Sequence, residues 1–201
     1  MSAAPDTAPA TGAADTANLW IGVLFAIGST CFLVGPFPGF VELVGSEIDA
    51  FVFFAGSVFF TSAALLQMLH SRGGLDRWAC VVQFAGTLFF NVSTFHALQT
   101  GLDANEYDRL VWRPDWRGSV CFLVSGVLAY LGVRRLSRRA IDWRIAVVNL
   151  AGCVAFGISA VAGYVVPSTG SALHLAAANA WTSFGALCFL VGALLLLPSR
   201  R

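Results

Sequence analysis

The sequence predicts an all-α fold, a polytopic bundle of six transmembrane helices built from three successive helical hairpins. The chain is 57% hydrophobic and only 11% charged, whereas about a quarter of the residues in a soluble domain are charged. Six apolar segments approach the roughly 20 residues that are needed to cross the hydrocarbon core. Each segment also contains the same short pattern, a glycine, then a small residue, then a phenylalanine four positions after the glycine.

The six segments are expected to be helices, because a bilayer offers the backbone no hydrogen-bonding partners. Pro36 and Pro38 lie in the first segment and should end its helix near Val34. The fourth segment is short, and its start extends outward if the flanking Arg113 and Arg117 reach the interface. The predicted spans are 19–41, 48–69, 78–98, 120–136, 145–166 and 172–197.

These spans define the predicted domain organisation. Residues 1–18 are rich in Ala, Thr, Pro and Asp, a composition typical of a disordered tail. Residues 19–198 form a single transmembrane domain. Its hairpin units cover about 19–70, 78–136 and 145–197 and repeat in parallel orientation.

The distribution of arginine predicts the orientation. The face that holds both termini carries nine arginines and the opposite face carries three, so the positive-inside rule places both termini in the cytoplasm. The opposite face also carries seven acidic residues. The prediction is a multi-pass protein of the cytoplasmic (plasma) membrane with a net negative outer face.

The repeated glycine–phenylalanine step is interpreted as helix packing. Residues four apart share a helix face, and glycine lets a neighbouring backbone approach closely. The alternative is a central path that the phenylalanines gate. Unequal depths expected for Gly118, near the outer edge, and Gly185, near mid-membrane, argue against that alternative. The predicted packing residues are Gly28, Gly56, Gly86, Gly118, Gly152 and Gly185.

Three copies of this step carry a family resemblance. They are Phe25-Ala26-Ile27-Gly28-Ser29, Phe53-Phe54-Ala55-Gly56-Ser57 and Trp116-Arg117-Gly118-Ser119-Val120-Cys121-Phe122-Leu123. The hairpins resemble the YrhK-like domain, a two-helix module of uncharacterised bacterial multi-pass membrane proteins. The last hairpin departs from the pattern, because Cys153 and Ala186 stand where the pattern has serine. The resemblance implies a bacterial membrane protein and its architecture, and it implies no activity.

A polar stripe is predicted on the third helix. Gln83, Thr87, Asn91 and Thr94 follow one another at spacings that keep them within about 80° on the helix. Such a stripe should face the bundle interior, since exposure to lipid is costly. It provides either interhelical hydrogen bonds or a path for water, protons or a small polar solute. Asn149 repeats the position of Gln83, three residues before the glycine.

Two histidines are candidate ligands. His96 and His174 should lie at similar depth near the outer ends of the third and sixth helices. On facing helices they would ligate a haem or, with Glu42 or Asp108, a metal ion. Because no ligand pair has helical spacing, two ordinary interfacial histidines are the alternative. The loop 102–116, with Tyr107, Trp112 and Trp116, is predicted as an interfacial cap that holds tryptophans at headgroup depth. Capture of a ligand by this loop is the alternative.

The functional prediction is a non-enzymatic integral membrane protein, either a small channel or carrier or a packing subunit of an envelope complex. The alternative is a haem- or metal-binding redox protein that uses His96 and His174; a lipid-modifying enzyme ranks third. No phosphate loop, nucleophile elbow or paired intramembrane carboxylate is present, and no cofactor is predicted. The lipid bilayer is the expected partner, a second copy or another membrane protein is left open, and nucleic acid is not expected. Anionic lipid should bind the basic cluster Arg134, Arg135, Arg138 and Arg139.

Overall fold

The computed structural model describes residues 9–99, 101–166 and 168–197 as an all-α bundle. Six helices are long and apolar enough to cross a membrane, which confirms the predicted six-helix architecture. These long helices are α1 (Pro9–Val34), α3 (Ser46–Leu69), α4 (Gly74–His96), α6 (Arg113–Val133), α7 (Ile141–Ala162) and α8 (Leu175–Leu196). The shorter elements are α2 (Phe40–Val44), α5 (Ala104–Tyr107), a π-helical turn (Asp108–Trp112), and the antiparallel strands β1 (Val165–Val166) and β2 (Ser171–Ala172).

The first helix ends where the prolines predicted and begins earlier than expected. It runs from Pro9 to Val34, so it starts within the segment predicted as a disordered tail. A proline at the first helical position loses no hydrogen bond, and the following alanines favour a helix. Residues 1–8 of the predicted tail lie outside the described residues.

The fourth long helix begins at Arg113 rather than at residue 120, so the predicted outward extension is correct. It continues from α5 through the π-helical turn, and a capping box between Asp103 and Glu106 starts this whole segment. Pro114 lies in the first turn of α6, where a missing backbone N–H costs nothing. The predicted interfacial cap is therefore helical and is continuous with a spanning helix.

The six long helices form a closed ring. Each packs against the next along the chain, and α8 packs against α1 to close the circle. The first part of α1 and the end of α8 lie on the same side of the ring, because Gly22 in α1 packs against Leu197, which follows α8. We call this side of the ring the terminal face and the other side the distal face.

A reciprocal contact holds each hairpin together. A Cβ atom on Gly28 would lie 2.7 Å from the Phe60 ring, and one on Gly56 would lie 3.1 Å from the Phe32 ring. Exchange of equivalent contacts is the pattern that a two-fold axis produces, so the two helices of a hairpin are inverted copies, a relationship missed in the sequence. The other hairpins repeat it with Gly86 on Phe122, Gly118 on Phe90, Gly152 on Phe189 and Gly185 on Phe156.

Candidate functional site

The six phenylalanines of the repeated step meet at the centre of the ring. The centroids of Phe32, Phe90 and Phe156 lie 5.7–6.3 Å from one another and form one layer. Phe189 lies 5.9 Å from both Phe60 and Phe122 in a second layer. The layers touch through the pairs Phe90–Phe122, Phe156–Phe189 and Phe32–Phe60, at 5.0, 5.5 and 5.7 Å. We call this double layer the phenylalanine barrier.

The barrier corrects the expectation that the glycine steps lie at unequal depths. The repeated steps that begin at Gly118 and Gly185 end in Phe122 and Phe189, which lie in the same layer of the barrier. Depth was inferred from the predicted helix ends, and α6 begins well before the predicted residue 120. Gly118 therefore lies inside the bundle and not at its edge, and the argument against a central gated path falls away.

A cavity opens on each side of the barrier. The terminal cavity has a volume of about 610 Å³ and is lined by all six long helices, with Phe60, Phe122 and Phe189 at the barrier. The distal cavity measures about 520 Å³ and is also lined by all six, with the other three phenylalanines at the barrier. Among the described residues, no side chain lines both cavities. The first helix of each hairpin thus supplies a phenylalanine to the distal side, and the second helix supplies one to the terminal side.

The predicted polar stripe runs from one cavity towards the other. Gln83 lines the terminal cavity and Thr94 lines the distal cavity. Thr87 lies between them, fully buried, and donates to the carbonyl of Phe84 at 2.7 Å. Asn91 lines neither cavity, and its buried Oδ1 has no hydrogen-bond partner in the part of the chain that the structure describes. The two ends of the stripe therefore lie in separate cavities, and its middle, at Thr87 and Asn91, lines neither of them.

Polar contacts of the stripe also join the first hairpin to the second. The hydroxyls of Ser57 on α3 and Thr94 on α4 lie 2.9 Å apart, and Thr94 also donates to the carbonyl of Phe90. Asn149 lines the terminal cavity as Gln83 does, so the shared position in the second and third hairpins has a shared location. The stripe thus serves packing at Thr94 and lines a cavity at Gln83.

The terminal cavity carries charges of both signs. Its mouth is lined by His70, Arg72, Asp76 and Asp142. The backbone N–H of Arg72 donates to the Asp76 carboxylate at 2.7 Å, which fixes the turn before α4. The mixed charge gives this cavity no strong preference for either sign of solute.

The distal cavity differs, because its lining is acidic. Asp103 and Asp115 line it, and no arginine or histidine does so in the described ranges. Arg113 and Arg117 line a separate surface pocket, where Arg113 pairs with Asp108 at 2.9 Å. Asp103 and Asp115 thus lie on a different face of this segment from Asp108 and the two arginines.

Aromatic side chains wall the distal cavity. Besides the three phenylalanines of the barrier, Phe53, Tyr107 and Trp112 line it. Trp112 is held by its Nε1–H, which donates to the carbonyl of Ala160 at 2.8 Å, and by an edge contact with Tyr164. Tyr107 and Trp112 of the predicted interfacial cap thus line the distal cavity, and the headgroup depth of the tryptophans stays a prediction.

These distal residues were missed as cavity-lining residues, although the sequence carries a signal. Asp103, Tyr107, Val111 and Asp115 all line the distal cavity and follow one another at intervals of four. Such a spacing drifts around a regular α-helix, and the wider π-helical turn at Asp108–Trp112 offsets that drift. The spacing is visible in the sequence, whereas the π-turn that aligns it is not.

The candidate metal ligands have separate local partners. The His174 Nδ1 accepts from the backbone N–H of Ala177 at 3.1 Å and caps α8. The His96 Nδ1 lies 3.5 Å from the Gln99 amide, and neither histidine lines the distal cavity. In the part of the chain that the structure describes, no group of three or more metal-ligating side chains occurs. A haem or metal site at His96 and His174 stays a hypothesis.

The fold and the site together define an integral membrane protein of six spans whose helix ring encloses two opposed cavities. Comparison with protein-family models, with curated proteins and with solved structures finds no match for the chain. The function therefore has to be argued from the site itself.

Proposed function

We propose that this protein is a small channel or carrier that moves a solute along the axis of its helix ring. The observation that carries the proposal is the pair of cavities on opposite faces, both lined by all six long helices and separated by the phenylalanine barrier. A subunit that only fills space in a larger complex needs no such pair of cavities. Transport needs both, one for entry and one for exit.

The barrier provides the closed state that such a function requires. Hydrophobic constrictions gate pores by excluding water, and six packed phenylalanine rings form a constriction of this type. The inverted relationship within each hairpin gives further support, since many secondary transporters contain inverted repeats and bind their substrate near the midplane. Opening requires the rings to separate, so conduction should depend on their size.

The membrane setting is part of the proposal. We place both termini in the cytoplasm of a bacterium, on the strength of the arginine distribution. Four arginines of the α6–α7 loop are exposed on the terminal face and would contact anionic lipid: Arg134, Arg135, Arg138 and Arg139. We also propose that the hairpins are of the YrhK-like type, because Gly28 and Gly56 of two resembling segments make the hairpin crossing.

Flux through proteoliposomes tests the proposed function. Stopped-flow light scattering would follow swelling after shrinkage with potassium chloride, choline chloride or glycerol. The variant Phe90→Ser removes one ring from the barrier and should raise the flux of at least one of these solutes several-fold over the wild type. Phe184→Ser is the matched control, since Phe184 is half-exposed on the outside of α8 and packs on Trp181.

Two results would contradict the proposal. Equal flux for Phe90→Ser and Phe184→Ser would show that the barrier does not limit passage. Flux no higher than that of empty liposomes for the wild type and for both variants, with intact folded protein in the membrane, would favour a packing subunit.

A further inference from the structure

We propose that the distal cavity is a binding site for a small organic cation, such as a quaternary ammonium ion or a protonated amine. The inference that this cation is also the transported solute rests on the proposed function. Three features of the cavity support the binding site: its acidic lining without a base, its aromatic walls and an aspartic acid, Asp115, that has no partner among the described residues.

The first feature is electrostatic. Asp103 and Asp115 line the cavity and no basic side chain does so in the described ranges, so an anion would find no partner of opposite charge there. Acidic residues lining a pore select cations. The distal face as a whole carries seven acidic residues and three arginines, and a negative surface raises the local concentration of cations before they enter.

The second feature selects an organic cation over an inorganic one. Small metal ions prefer several oxygen ligands at close range, and no cluster of three carboxylate, histidine or cysteine ligands is present in the described residues. The cavity instead presents Tyr107, Trp112 and Phe53 together with the distal phenylalanines of the barrier. Aromatic faces around a charge are how proteins recognise quaternary ammonium groups.

The third feature distinguishes the two carboxylates. Asp103 is already engaged, because its Oδ1 accepts the backbone N–H of Glu106 in the capping box at 2.8 Å. Asp115 makes no hydrogen bond or ion pair with the described part of the chain, although Arg113 and Arg117 lie two positions away on either side. Those arginines line a different pocket. A bound cation would therefore pair with Asp115.

The size of the cavity fits this class of ligand. A volume of about 520 Å³ lies in the range of small-molecule sites, which are mostly apolar with a few polar groups. Here Asn179, Thr182 and Ser159, on α7 and α8, provide uncharged polar groups. The Ser159 and Thr182 hydroxyls lie 2.7 Å apart and bond to each other, so the Asn179 amide would bind a hydroxyl or amide on the remainder of the ligand.

Equilibrium binding tests the site without a membrane potential or a gradient. Isothermal titration calorimetry of the detergent-solubilised protein would use choline and, as its uncharged counterpart, the dimethylbutanol in which carbon replaces the quaternary nitrogen. We expect choline to bind and the alcohol to bind at least about tenfold more weakly, since the charge contributes both the ion pair and the cation–π attraction. Potassium ion is the third probe and should not compete with choline at equal concentration.

Variants of the carboxylates complete the test. Asp115→Asn should weaken choline binding by about tenfold or more, and Asp115→Glu should retain most of it. Asp108→Asn is the matched control, because Asp108 lies on the same segment but pairs with Arg113 outside the cavity. Equal binding of choline and the alcohol, or no difference between Asp115→Asn and Asp108→Asn, would overturn the inference. Choline binding without any flux would support the binding site and refute transport. Flux of glycerol without choline binding would refute the binding site and support transport.

Discussion

The rings of Phe90 and Phe122 lie with their centroids 5.0 Å apart, and each ring also packs on the glycine of the other's helix. Phe90 covers Gly118, and Phe122 covers Gly86. The same two side chains therefore separate the two cavities and hold the crossing of α4 and α6. The other hairpins repeat this arrangement, so the barrier and the helix crossings are built from the same side chains.

Added volume at a crossing glycine should destabilise the bundle. In α7, a Cβ atom on Gly152 would lie 3.0 Å from the Gly185 carbonyl oxygen and 3.0 Å from the Phe189 ring. Relief of such a contact requires the two backbones to separate, and overpacking of this kind costs about 1–3 kcal/mol. Gly152→Ala should lower the midpoint of unfolding in a titration of detergent-solubilised protein with sodium dodecyl sulfate, followed by circular dichroism.

Gly157 provides a control in the same helix. Beyond its own helix backbone, a Cβ atom there has no neighbour within 4 Å among the described residues, and alanine is favoured over glycine in a helix by about 1 kcal/mol. Gly157→Ala should therefore leave the midpoint unchanged or raise it. If the two variants shift the midpoint equally, the crossing is not as tight as the contacts indicate.

The sequence predicts the six helices and their hairpins well, because short stretches of neighbouring residues determine them. Segment length and apolarity give the six spans, and Pro36 and Pro38 give the end of α1 at Val34. The glycine–phenylalanine period gives the hairpins. It does not give the inverted contact of Gly28 with Phe60 and Gly56 with Phe32, because that depends on how two helices rotate against each other.

The cavities lie beyond sequence reasoning for a related reason. Gln83 was expected in the interior, and it lines the terminal cavity. Asn91, on the same stripe, lies in neither cavity, since a stripe on one helix crosses both the cavities and the packed layer between them. Asp115 and Trp112 belong to the segment that was predicted as an interfacial cap, and they line the distal cavity. Their position follows the π-helical turn at Asp108–Trp112, which has no recognised signature in the sequence.

Replacement of Gln83 should change the flux of solute, whereas replacement of Asn91 should change the stability of the bundle. Gln83→Leu removes a polar group from the wall of the terminal cavity and should lower the flux of any solute that the protein conducts in proteoliposomes. Asn91→Leu removes a buried side-chain oxygen that has no hydrogen-bond partner among the described residues. An unsatisfied buried group costs about 1–3 kcal/mol, so Asn91→Leu should raise stability and leave flux close to that of the wild type.

The two readouts distinguish a path from simple packing. Flux is compared in liposomes at equal protein content, and stability is taken from the detergent titration. Loss of flux in Asn91→Leu but not in Gln83→Leu would place the path along the middle of the stripe and would contradict the role given to the cavities.

The last prediction concerns access to the two cavities from opposite sides of the membrane. Gln83→Cys lies in the terminal cavity and Asn179→Cys in the distal cavity, each introduced after the five native cysteines are replaced by alanine. Ala186 already occupies in α8 the position that Cys153 has in α7, so alanine fits this step of the repeat.

A membrane-impermeant thiol reagent applied to intact cells should modify Asn179→Cys and spare Gln83→Cys. Inverted vesicles should show the reverse, because the six rings keep each reagent on its own side. Adding Phe90→Ser to Gln83→Cys should then open a route to the cysteine from the distal face. Modification of both cysteines from one face in the unaltered barrier would mean that the rings do not seal the axis, and reversed sidedness would place the termini outside the cell.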